Sequence, residues 1–375
     1  MIRPASILAA GAAALAAALA PAAAHAADPG RWFALNDTPV AAGADLGVTS
    51  DDDAFLFAGA PTAGLRTDLR LGAAVTSAQL LPADITALGY DRLGDWTLAD
   101  GRVIAPLGCS APPAQPPGAC PPPALGILSP QLGWLGRVLL DPTDVAQVTW
   151  AEASPDGDLV WTSSGDDLIA YDTATVQAGE TPIRPARRLV GAVPQGGIAN
   201  AAFVDDRLFV AVPRGFQIWS IDLETGEPQL EIERPYDGQP AGLDVVDALG
   251  GELHWLISPD DPEGNSPTFG TGHSTIVSFV RREDAVIQMS AKPARIPVGE
   301  PTRVRVRAWL RYLDTDHPIE RVNVAPPTGR GAATDKRGRA TLTITAKKAG
   351  RLRLTGTKPP VSGGRVTIRA FEPKG

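Results

Sequence analysis

Three carboxylates, Asp95, Glu152 and Asp244, have the residue type and the placement to do chemistry together. Each falls on the first strand of a recurring β unit. Carboxylates gathered at one point can divide proton donation and water activation between them, the chemistry of glycoside hydrolysis. His273 follows the glycine-bearing stretch 264–272, and a loop of that kind can reach over a site. His254 stands beside Trp255 in an apolar strand and reads as a packed residue rather than a base. His317, with Asp314, Asp316 and Glu320, has the residue types of a metal site, but a polar turn between two strands accounts for them better. The acidic groups at 51–53, 166–167, 205–206 and 260–261 are of the type calcium takes. Most coincide with hairpin turns, where Asp is favoured for local backbone reasons. No cofactor is expected. The sequence has no nucleophile elbow, no paired metal-binding histidines, no phosphate loop and no EF-hand spacing.

The elements that would position these groups repeat along residues 28–282. Each unit is an apolar strand, a tight acidic or glycine turn and a second apolar strand. The turns fall near residues 52, 100, 156, 205 and 250. Asp and Gly tolerate the positive φ that hairpin turns need. A third strand follows each hairpin, as at 124–128, 167–172, 216–222 and 274–279, and sometimes a fourth, as at 229–233. Four strands per unit of roughly 40–50 residues describe a propeller blade. Residues 154–162 (Ser-Pro-Asp-Gly-Asp-Leu-Val-Trp-Thr) and 168–172 (Leu-Ile-Ala-Tyr-Asp) resemble the blade phrasing of bacterial β-propellers. The resemblance implies an all-β fold with five or six blades, the sixth within 60–92. Trp32, Phe33, Ala34 and Leu35 would supply the strand that closes the ring. Trp96, Trp150, Trp161, Trp219 and Trp255 recur on blade strands and read as inter-blade core.

Residues 286–375 differ in both charge and pattern. They carry 19 Lys and Arg against 6 Asp and Glu, whereas residues 28–285 carry 14 Arg, no Lys and 36 Asp and Glu. So sharp a division places a domain boundary near residue 285. Val304, Val306, Ala308 and Leu310 alternate with Arg303, Arg305, Arg307, Trp309 and Arg311; Leu352 and Leu354 alternate with Arg351 and Arg353. Period-two alternation makes half-buried strands, and about seven fit a β-sandwich. Residues 333–344, continued by Ala349-Gly350-Arg351-Leu352-Arg353-Leu354, resemble bacterial immunoglobulin-like domains. That resemblance implies a spacer, presenter or adhesive module. Arg303, Arg305, Arg307, Arg351 and Arg353 are the candidate binding residues, suited to an acidic polymer such as a cell-wall polysaccharide, or to the acidic body itself.

The N-terminus settles where this happens. Arg3, the apolar run 7–20 and Ala24-His25-Ala26 form an export signal cleaved after Ala26. No second apolar span exists, so no transmembrane span is expected. Cys109 and Cys120 share a proline-rich loop and, in an oxidising compartment, form a disulfide. The reading is a secreted or envelope-associated monomer, non-enzymatic, with an acidic propeller as recognition face and a basic module for tethering. It binds an extracellular ligand, a polysaccharide or another protein, and no nucleic acid. The alternative is a propeller hydrolase, of glycan or lactone class, using Asp95, Glu152 and Asp244 and calcium.

Overall fold

The computed structural model describes residues 32–40, 44–51, 53–59, 62–71, 76–109, 120–179, 182–213, 216–234, 238–246, 249, 251–258, 274–281, 285–312, 315–319, 321–358 and 361–373. Residues 1–26, read above as an export signal, and His273 and the acidic pair 260–261 lie outside them.

Five antiparallel sheets make up the N-terminal body. β1 (Trp32–Pro39) belongs to the last of them. The first blade is β2 (Gly47–Ser50), β3 (Ala54–Gly59), β4 (Ala63–Asp68) and β5 (Thr76–Gln79). A one-turn helix, α1 (Ala83–Thr86), leads to the second. There β6 (Arg92–Leu93) and β7 (Thr97–Ala99) form an interrupted inner strand beside β8 (Arg102–Gly108), β9 (Ala124–Leu128) and β10 (Trp134–Leu139). The third is β11 (Glu152–Ala153), β12 (Leu159–Ser164), β13 (Asp167–Asp172) and, after α2 (Thr173–Ala178), β14 (Arg187–Leu189). The fourth is β15 (Asn200–Val204), β16 (Arg207–Val212), β17 (Gln217–Ile221) and β18 (Pro228–Glu233). The fifth is β19 (Gln239–Val246), β20 (Glu252–Ser258) and β21 (Thr275–Arg281), completed by β1.

The inner strands close a ring: β2 touches β7, β7 touches β11, β11 touches β15, β15 touches β19, and β19 returns to β2. The body is therefore a five-bladed β-propeller, all-β as the blade pattern implies. The described residues within 60–92 form the outer half of blade one, α1 and the start of β6, and among them there is no sixth blade. The ring is locked because β1, from the start of the body, pairs with β21 from its end. Trp32 anchors this closure, meeting Phe209 edge-on at 5.6 Å.

Each gap between neighbouring blades has its own apolar core. Leu56 and Trp96 fill the first, Ile104 and Tyr171 the second, Trp150 and Leu208 the third, Phe209 and Trp255 the fourth, and Phe55 and Leu256 the fifth. The tryptophans occupy these seams, with their polar edges satisfied where Trp96 Nε1 donates to the Leu56 carbonyl at 3.2 Å and Trp150 Nε1 to the Ser163 hydroxyl at 3.0 Å. The hairpin turns use the residues that positive φ demands: Asp100 and Gly101 (47° and 70°), Gly157 (76°) and Asp205 (55°).

Beyond Arg281 the chain enters a second core. One layer holds β22 (Ala285–Lys292), β24 (Thr302–Tyr312), β25 (Thr315–Pro318) and β28 (Arg339–Ile344). The other holds β23 (Arg295–Pro297), β26 (Asn323–Ala325), β27 (Ala332–Ala333), β29 (Gly350–Lys358) and β30 (Val361–Phe371). Val304, Val306, Ala308 and Leu310 from the first layer meet Leu354, Ile368 and Ala370 from the second. Asp316 and His317 lie on β25, paired across to β24. The disulfide Cys109–Cys120 is formed, with a Cα–Cα distance of 5.7 Å.

Candidate functional site

Around the propeller axis the inner strands of neighbouring blades approach closely. A Cβ on Gly47 would lie 2.8 Å from the Asp95 Cα, and one on Gly242 would lie 2.6 Å from the Val48 amide nitrogen. Only glycine lets strands from blades one, two and five approach this closely.

Asp95 stands in the break between β6 and β7, 1 % exposed. Its backbone bridges to blade three: its N–H donates to the Thr149 carbonyl at 3.0 Å, and its carbonyl accepts from Ala151 at 3.0 Å. Its carboxylate accepts from the Val48 amide of blade one at 3.0 Å. The amides of Leu243 in blade five and Ala201 in blade four also hydrogen-bond it. One residue of blade two thus holds the inner strands of all four other blades. Burial pushes its carboxyl well above the usual range despite these donors, and the charge of Asp244 adds to the rise.

Glu152 and Asp244 are partly exposed beside it. Glu152 Oε1 accepts from the Phe203 amide at 3.3 Å. The Thr97 hydroxyl accepts from the Ala153 amide at 3.1 Å and so has its own proton to give Glu152. Burial raises the Glu152 carboxyl strongly, followed by the charges of Asp244 and Asp95. The charges of the three carboxylates therefore act on one another. A cavity of about 770 Å³ opens elsewhere, between blades two and three, where the turns carrying Asp100 and Asp156 face Arg102, Asp172 and Gln177.

A second constellation escapes sequence reading. His254 Nδ1 lies 3.1 Å from the Ser278 hydroxyl, and its Nε2 lies 3.7 Å from the Glu252 carboxylate. These are the residue types of a nucleophile–base–acid relay. All three are at most 5 % exposed, and the imidazole packs edge-on against Phe55 at 5.1 Å. A substrate has no approach to them. Burial lowers His254 to about 3 and raises Glu252 to about 7. His254 is a packed residue, as its apolar neighbours indicate. Its link to Ser278 arises from cross-strand register between β20 and β21, which carries no local motif.

The acidic turns do local work. Asp51 accepts from the amides of Asp53 and Ala54 and pairs with Arg66 at 2.6 Å; Asp167 accepts from Gly191 and pairs with Arg188 at 2.9 Å. Among the described residues no group of three His, Cys, Asp or Glu is arranged to hold a metal ion.

The five candidate arginines are exposed but do not form one set. Arg303, Arg305 and Arg307 lie on β24, whereas Arg351 and Arg353 lie on β29 across the shared core, the two halves being joined at one edge where β22 pairs with β30. Strict alternation turns each row away from the common core, so the rows face opposite sides of the sandwich. The junction between basic module and acidic body includes an apolar contact. Val280 of β21 sits within the sandwich core and Leu35 of β1 packs against it. Among the described residues no ion pair crosses between the two.

No family model matches the sequence, and no curated protein matches it. Solved structures similar to it include the PQQ-bound aldose sugar dehydrogenase of Streptomyces coelicolor, at 13% identity over 67% of this chain and 98% of that one, TM-score 0.39. The glutaminyl cyclase of Myxococcus xanthus is similar at 10% identity over 68% of this chain and 98% of that one, TM-score 0.44. The gluconolactonase XC5397 of Xanthomonas campestris is similar at 15% identity over 60% of this chain and 69% of that one, TM-score 0.36.

Proposed function

We propose that this chain is an exported, non-enzymatic binding protein. Its basic sandwich, read as immunoglobulin-like, attaches it to an anionic extracellular polymer, and its acidic propeller presents a recognition face. The observation that carries the reading is the exposure of one-signed arginine rows on the sandwich. Export is supported by the N-terminal signal pattern and by the disulfide, which suits an oxidising compartment. Among the described residues no helix is long and apolar enough to cross a membrane. The unit acts as a monomer, with the boundary between its modules near residue 285.

The test is a pull-down of the purified mature chain on cell-wall material and acidic glycans at low and high salt. Salt-sensitive retention that disappears when the arginines are neutralised supports the reading; retention indifferent to both overturns it. One observation favours a hydrolase instead, namely that the charges of Asp95, Glu152 and Asp244 act on one another. Glycan or lactone hydrolysis that is lost in Glu152→Gln with folding intact would establish that reading.

A further inference from the structure

The sandwich carries two basic faces rather than one. On the β24 layer, Arg303, Arg305 and Arg307 follow one another along a strand, spaced roughly 7 Å apart. Lys292 faces Arg305 from β22, and Arg339 faces Arg307 from β28. Trp309 continues the row, with the Arg307 guanidinium 5.9 Å from its ring centre. On the other layer, Arg351 of β29 faces Arg369 of β30, and Arg295 of β23 faces Arg369 from the far side. Arg353 and Arg365 extend that face, and all of these cations are exposed.

Like charges set directly opposite on neighbouring strands repel. Such contacts recur on both layers, and the sandwich core needs none of them, since its apolar residues alternate on the inner side. Asp335 is the carboxylate near Arg337 and Arg339, and it is engaged with the amides of its own turn. An extended anionic chain laid along either face would relieve the repulsion there. The two rows point away from a shared core, so one straight chain lying along β24 does not also lie along β29.

We propose that the sandwich is bivalent, each face holding a separate anionic polysaccharide strand, so that the module cross-links the polymer it binds. This rests on the polyanion reading above and adds the geometry to it. A linear sulfated or uronate-bearing glycan fits both the row of guanidiniums and the indole at its end.

Heparin is the probe. Long heparin mixed with the full mature chain gives a light-scattering maximum near charge equivalence. Arg303→Gln/Arg305→Gln/Arg307→Gln and Arg351→Gln/Arg353→Gln/Arg369→Gln each still bind a short heparin oligosaccharide, at half the wild-type stoichiometry, and each loses the scattering maximum. Replacing the same residues with Lys restores it, which separates loss of charge from loss of fold. The inference falls if one triple variant scatters like the wild type, or if one abolishes all binding while the other changes nothing. It falls too if duplex DNA of equal charge displaces heparin at lower concentration. A wild-type chain that ignores heparin at low salt overturns the polyanion reading itself, a result distinct from binding without cross-linking.

Discussion

The propeller and the sandwich handle charge in opposite ways. In the propeller, carboxylates are committed to structure. Asp51, Asp141, Asp156, Asp167, Asp172 and Asp222 hold backbone or side-chain donors, which keep their carboxyls below the usual range. Among the described residues, every ion pair between an arginine and a carboxylate lies in this body. Asp95 goes further and is buried at the axis as a strut. In the sandwich, the cations stand outside an apolar core on strictly alternating strands, facing one another. The difference teaches that two modules of opposite net charge can use that charge in different ways. The acidic module has spent much of its charge internally, while the basic one leaves its charge for a partner.

The largest test of the comparison is Asp95→Ala. It removes the acceptor that Val48, Leu243 and Ala201 share, and each buried amide left unpaired costs about 1–3 kcal/mol. The propeller should lose at least about 3 kcal/mol by urea unfolding, while Asp95→Asn, which keeps one acceptor oxygen, loses far less. Arg305→Gln in the sandwich should stay within about 0.5 kcal/mol of wild type. A propeller indifferent to Asp95→Ala would dissolve the contrast between internal and external charge.

Next comes pH. The Glu252 carboxyl is raised to about 7, so the folded chain binds a proton that the unfolded chain releases at lower pH. The stability this neutral form contributes is complete below the ordinary glutamate range and is lost as pH rises through about 7. The loss across that window is about 3 kcal/mol. Asp95 and Glu152, also raised, act with the same sign. His254, lowered to about 3, opposes them, because folding then costs a proton as pH falls below the ordinary imidazole range. Denaturation midpoints measured from pH 4.5 to 8 should decline toward the alkaline end, and Glu252→Gln should flatten that decline. A wild-type profile that rises with pH over this range would contradict it.

Much of the fold is legible in local sequence, and the centre of it is not. The turns at Asp100-Gly101, Asp156-Gly157 and Asp205-Asp206 announce themselves because positive φ restricts residue choice. The tryptophans mark the blade seams because only large apolar groups fill them. First-strand position also picks out Asp95, Glu152 and Asp244, whose charges act on one another. What the sequence withholds is that Asp95 is held by amides from other blades, because a backbone donor looks the same at every residue. The division of the arginines between two layers is hidden for a related reason. Alternation tells which side of a strand a residue faces, but not which sheet the strand joins. The same limit hides the Glu252–His254–Ser278 contact, which depends on register alone.

Close packing at the axis offers a finer probe. Gly242→Ala would press a methyl against the Val48 amide and its side chain, at 2.6 and 2.7 Å. The inner strands must shift, at a cost of about 1–3 kcal/mol. Gly136→Ala on β10, where nothing lies within 4 Å, should be nearly silent. Equal thermal shifts for the two would mean that the axis is looser than its geometry.

The smallest effect bears most directly on what the sandwich is for. Arg369 lies on β30 between Arg351 and Arg295, two like charges in direct register. Arg369→Glu turns both repulsions into attractions across exposed strands, each worth roughly 0.2–1 kcal/mol. The variant should therefore unfold at a slightly higher denaturant concentration than the wild type while holding heparin less tightly on that face. Stability and binding would then move in opposite directions at one residue, as they do when a charge is kept for a partner rather than for the fold. If Arg369→Glu weakens both, the arginine serves the sandwich itself, and the contrast with Asp95 disappears.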